Sequence, residues 1–178
     1  MNSAESFAIY CETANTTSSK KMESGSNLRV FNKTKINRGN DISLSEDGTT
    51  ISLTRGCFHI TAMSIVSYVD ELDMEDGITK SLTVSICEKS NGGYCAIFEK
   101  GTIIEAPSDA EKAIAVGTVS HTSTAPSFID TILNVEDMIH IQLIHQAGNV
   151  DNKNVFLTVS DGESVNRIFS QITIIKMN

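Results

Sequence analysis

The 178-residue chain is 40% hydrophobic and carries 22 acidic against 14 basic residues, a formal net charge of −8. That apolar fraction supports one packed domain and excludes a disordered chain. The acidic balance, with no Lys/Arg cluster beyond Lys20-Lys21, repels phosphate backbones and anionic lipid, so no nucleic-acid partner is expected.

In chain order, the first element is a short strand near residues 7–11, inside "MNSAESFAIYCETAN". This N-terminus has no basic region ahead of its apolar stretch and does not read as a signal peptide. Residues 13–27, "TANTTSSKKMESGSN", are polar and low in complexity, and are expected to form a mobile loop. Residues 1–27 are thus read as an N-terminal strand and mobile polar loop, and residues 28–178 as the body of a single domain.

From a second strand near residues 28–36 onward, the apolar residues recur with a period of two. Ile42 and Leu44 alternate with serines, as do Ile51 and Leu53 with Ser52 and Thr54. Phe58, Ile60 and Ala62 alternate with His59, Thr61 and Met63, and the same rhythm recurs around Val84, Ile141 and Ile174. Ile, Val and Thr dominate these runs, and they suit a pleated, half-buried surface. Turn signals separate the runs: Asp47-Gly48, Arg55-Gly56, Asp76-Gly77, Asn91-Gly92-Gly93, Lys100-Gly101, Ala147-Gly148-Asn149 and Asp161-Gly162. "PSDAEKAIAV", residues 107–116, allows one turn of helix at most. The fold class is all-β, a two-sheet antiparallel sandwich of about ten strands. No apolar run approaches the roughly 18 residues of a membrane span, so membrane insertion is not expected.

Within that reading, "DISLSEDGTTISLTRGCFHI" places a short strand, Asp-Gly, a second strand and then Gly-x-aromatic-x-Ile at the opening of a long strand. "SFIDTILNVEDMIHIQLI" adds a strand, Leu-x-x-x-Asp and an alternating strand, and "RIFSQITIIKMN" closes the chain. This order resembles the TNF-like jelly roll, and within it the complement globular heads and the heads of collagen-like bacterial surface filaments. Glu136 stands where that family usually has glycine before the aspartate. The resemblance implies that Phe58 anchors the core, and Ile60, Leu133 and Ile141 follow it inward by alternation. The strands 57–69 and 127–135 are apolar on two faces. The resemblance puts them in the sheet whose outer face makes a threefold contact, through Met63, Ile65, Phe128 and Ile132. The implied function is a non-catalytic homotrimeric recognition head, a fibre or filament tip of adhesin type binding a glycan or protein receptor. The alternatives are a structural trimerisation or capping module and a TNF-like signalling ligand. A cell-surface, virion or secreted location follows from resemblance only.

Residues that bear chemistry add little. G-x-S-x-G and Cys-x-x-Cys are absent, and no Gly-rich phosphate loop is present, so an enzyme is not expected. A cupin-type enzyme would need His and Glu converging on inward positions. His59, His121, His140 and His145 are scattered, and His140 and His145 fall on opposite faces of one strand. The acidic stretch at residues 71–77, with Asp73 and Asp76, offers oxygens for calcium but lacks EF-hand spacing and reads as a solvated loop; no cofactor is expected. Cys87 and Cys95 flank a hairpin signal and are candidates for a cross-strand disulfide, against a default of buried free thiols.

Overall fold

The computed structural model describes residues 6–14, 18–68, 93–105, 107–120, 125–147, 150, 155–160 and 167–177. They contain fourteen strand segments and one short 3-10 helix, Pro107–Lys112. The strands are β1 (Phe7–Thr13), β2 (Lys20–Lys21), β3 (Gly25–Leu28), β4 (Lys33–Arg38), β5 (Ile42–Leu44), β6 (Ile51–Leu53) and β7 (Gly56–Ser64). They continue as β8 (Ser67–Tyr68), β9 (Tyr94–Glu99), β10 (Ala115–Val116), β11 (Ser127–Val135), β12 (Ile139–Ala147), β13 (Val155–Thr158) and β14 (Ile168–Met177).

Two antiparallel sheets enclose the core. The first has the order β11-β7-β14-β1-β4, and the second the order β10-β9-β12-β6-β5, with β3 on β12 beyond the end of β6. Alternation decides which residues meet. In β7 the side chains of Phe58, Ile60, Ala62 and Ser64 are buried, while Cys57, His59, Thr61 and Met63 are only half-buried on the other face. Phe58 is opposite Leu133, and Ile60 is opposite Ile174. The first sheet's inner residues pack on Ile42, Ile51, Leu53, Ile97, Ile141 and Leu143 of the second sheet, which gives one continuous core. Phe58, Ile60 and Ile141 are buried, and Leu133 is half-buried against them.

The Asp47-Gly48 signal lies in the turn that joins β5 to its antiparallel partner β6. Asp47 Oδ1 accepts hydrogen bonds from Ser45 Oγ and from Thr49 N and Oγ1. Gly48 has φ +71°, and a Cβ there would lie 2.3 Å from Phe31 O, so both conformation and space require glycine.

Two features differ from the sequence reading. The stretch 13–27 contains β2 and β3. Its one large apolar residue, Met22, is buried with Val66, Ala147, Val150, Val155 and Leu157 in a small cluster, beside which β13 pairs with β2 and β8. Pairing partners supplied by distant strands override the local polarity. The long strand expected over 57–69 ends as β7 at Ser64, with β8 a separate two-residue segment. Val66 therefore packs in the small cluster and not with Phe58 and Ile60. Ile65 also falls outside the β7 ladder. Its N still donates to Phe169 O (2.8 Å), beside Ser64's partner Ser170 in β14, and its O accepts a short hydrogen bond from Arg29 Nη2.

Candidate functional site

The outer face of the first sheet follows from its register. Phe128 is opposite Met63, Asp130 opposite Thr61 and Ile132 opposite His59; on the other side of β7, His59 is opposite Ile175 and Cys57 opposite Met177. Directly opposed residues share a face. The result is an apolar field bearing one hydrogen-bonded His–Asp pair. Phe128 is 56% and Ile132 62% exposed. His59 Nε2 lies 2.6 Å from Asp130 Oδ1 between them. Met63, Phe128 and Ile132, three of the four residues expected on a self-contact face, thus stand together on this ladder; Ile65, the fourth, follows the last residue of β7.

The outer face of the second sheet is also apolar, but the chain covers it. Ala96, Phe98 and Ile144 form a buried cluster with Leu28, Tyr94, Ile104 and Ala113 packed on it. The cover is the excursion between β9 and β10, which includes the 3-10 helix. Asp109 holds it closed by accepting from Glu105 N (2.7 Å) and pairing with Lys112 Nζ (2.8 Å).

A polar cluster lies inside the end of the sandwich. Arg29 is fully buried and donates from Nη1 to Glu12 Oε2 (3.1 Å) and Leu157 O (2.8 Å), and from Nε to Ser64 Oγ (2.8 Å). Burial pushes the guanidinium's pKa down, and the Glu12 carboxylate opposes that shift. The same Ser64 Oγ shares a hydrogen bond with His145 Nδ1 at 2.7 Å. His145 is thus a buried, hydrogen-bonded core histidine. Neither Arg29 nor Glu12 was visible as an interior residue in the sequence, since each sits among polar neighbours.

Glu12 also lines an open cavity of about 260 Å³, together with Thr13, Ser18, Lys20, Val30, Asn32 and Thr158. Asn32 closes one wall by accepting from Thr13 N (2.9 Å) and Thr13 Oγ1 (3.0 Å).

Among the described residues no set of three or more His, Cys, Asp or Glu side chains converges to hold a metal. His140 is exposed, with Nδ1 2.8 Å from Ser52 Oγ, apart from His59 and His145. His121 and the acidic candidates Asp73 and Asp76 lie outside the described residues. Cys95 is free and buried, with Sγ 3.5 Å from Ser127 O, and burial pushes its thiol pKa up. The candidate Cys87–Cys95 bridge involves Cys87, which lies outside the described residues. No helix among the described residues is long and apolar enough to cross a membrane.

No protein-family model matches the chain, and no curated protein matches it. Solved structures do. Murine APRIL at pH 8.0 is similar over 97% of this chain and 99% of its own, with a TM-score of 0.53 at 11% identity. Murine APRIL at pH 8.5 gives the same coverage and TM-score at 9% identity. Likeness at this identity concerns the backbone arrangement alone, and APRIL is a TNF-superfamily ligand. The paired antiparallel sheets, their strand order and this full-length match show that the chain folds as a TNF-like jelly roll.

Proposed function

We propose that the chain is a non-catalytic recognition head that assembles as a homotrimer through the outer face of its first sheet and presents its loops to a protein receptor. The observation that carries this reading is the contrast between the two outer faces. The second sheet's apolar face is covered by Ile104 and Ala113 of its own chain, whereas Phe128, Ile132 and Ile175 are left in water. Contiguous exposed apolar surface is rare on monomers. Covering it with copies of itself under closed rotational symmetry removes the patch and leaves no open contact to extend a fibre. The full-length likeness to a TNF-superfamily ligand supports threefold assembly and a protein receptor.

Light scattering tests the assembly: the expected mass is three times that of one chain. Ile132→Asp places a carboxylate in the contact and should reduce the mass to one chain with the β-sheet spectrum intact. A parent protein of single-chain mass overturns the reading. Labelled protein applied to cells before and after surface proteolysis tests the receptor class, with binding expected to disappear on proteolysis. The Ile132→Asp variant should bind more weakly if the trimer engages several receptors at once. A second reading, a glycan-binding fibre tip, is supported by the polar cavity at Glu12. Loss of cell binding on deglycosylation alone would favour it.

A further inference from the structure

We infer that the cavity bounded by Glu12, Lys20 and Thr158 is a saccharide subsite that takes one neutral, hydroxyl-rich pyranose ring. It gives the glycan reading a location and a chemistry, and it does not depend on the trimer.

Two side chains there are more than nine-tenths buried yet keep polar atoms without a protein partner. Glu12 is 3% exposed; its Oε2 accepts from Arg29 Nη1 at 3.1 Å and from Ser170 Oγ at 3.4 Å. Its Oε1 makes no hydrogen bond among the described residues. Thr158 is 6% exposed, and its hydroxyl likewise makes none. Among the described residues, the one buried side-chain polar atom that is both sealed from solvent and unpartnered is Tyr10 Oη. Glu12 Oε1 and Thr158 Oγ1 are therefore reachable from solvent, and both residues line the cavity. Polar groups so deeply buried are normally paired, so these two are acceptor and donor positions held ready for something that enters.

The charges select the kind of ligand. Arg29 behind Glu12, and Lys20 on the rim, oppose a cationic ligand. The Glu12 carboxylate opposes phosphate, sulfate or another carboxylate. A neutral polyol satisfies every wall. One hydroxyl donates to Glu12 Oε1, and its neighbour exchanges hydrogen bonds with Thr158 Oγ1 and accepts from Lys20 Nζ. Lys20 spends one donor on Leu28 O at 3.1 Å, and an ammonium has three. Val30 offers the apolar wall on which the C–H face of a sugar ring rests. The volume of about 260 Å³ is below the roughly 300–1,000 Å³ typical of drug-sized ligands, which fits a single ring. Affinity in the millimolar range is expected, because none of the described lining residues is aromatic.

The test is saturation-transfer NMR with the intact chain and a panel of free glucose, galactose, mannose and N-acetylglucosamine. At least one sugar should show transfer, and both Thr158→Val and Lys20→Ala should weaken it about tenfold, the effect of removing a hydrogen bond to a positioned polar group. Lys20 is exposed, so its variant keeps the fold; Glu12→Gln should also remove binding but disturbs the Arg29 pair. Absence of transfer from all four sugars overturns the inference. So does transfer that persists unchanged in both variants, or a response to methylammonium in place of the sugars. Mass measured on the same sample separates the two readings. A monomer that binds sugar keeps this subsite and removes the trimer, and a trimer silent to all four sugars does the reverse.

Discussion

The two sheets share a core but meet water differently. On the second sheet, Phe98 and Ile144 lie beneath the excursion between β9 and β10, so that face behaves as an interior. On the first sheet, Phe128 and Ile132 occupy equivalent outward positions and are exposed. Identical alternation thus gives one face that stabilises the monomer and one that is free to serve an assembly. Binary pattern alone does not distinguish them; the intervening chain does.

Mutations can break or sharpen this contrast. Phe98→Ala should destabilise the single chain by about 3–5 kcal/mol, the usual range for a buried aromatic. Phe128→Ala should change single-chain stability by less than about 0.5 kcal/mol, as expected of an exposed site. Denaturant titration of both in the Ile132→Asp background checks this, and equal losses would mean that the faces do not differ. Arg29→Ala leaves the Glu12 carboxylate buried without its cation, and should cost about 3 kcal/mol or more whichever face is considered.

Smaller effects are expected at Asp41, near the start of β5. Lys176 Nζ (2.7 Å), Ser6 Oγ (2.6 Å) and Thr54 Oγ1 (2.6 Å) all donate to its carboxylate, joining the ends of β1, β5, β6 and β14. The bond from Lys176, then those from Ser6 and Thr54, lower its pKa from 3.8 to about 2. A depressed carboxylate contributes stability that is fully present above pH 3.8 and is lost as pH falls through about 2. The pair is partly exposed, which reduces the contribution to about 1 kcal/mol. Asp41→Asn should flatten the acid limb of the stability curve by that amount. Tyr10→Phe, which removes a buried hydroxyl without a partner, should leave stability unchanged or raise it by up to about 1 kcal/mol.

Much of the fold was legible because period two is a local signal. Phe58, Ile60 and Ile129 point inward and Phe128 and Ile132 outward, as alternation assigns them, and Asp47-Gly48 marks its hairpin. The polar end of the molecule was not legible. Arg29 in "SNLRVF" and Glu12 in "YCETAN" read as surface residues; their burial arises because strands far apart in sequence deliver Ser64, His145 and Ser170 to the same spot. Thr158 appears as an ordinary strand residue, and nothing near it in sequence announces the cavity it shares with Glu12.

The pairing of β1 with β14 also fixes how the molecule can be held. Phe7 is opposite Ile175, and Lys176 N donates to Ser6 O at 2.9 Å, so the outer ends of the first and last strands emerge side by side. From there β1 runs seven residues, about 20 Å, before Glu12 and Thr13 reach the cavity at its far end. A tether joined at either end would leave from the pole opposite the cavity. Attachment through the N-terminal side, the C-terminal side or both would point the same surface away from the anchor.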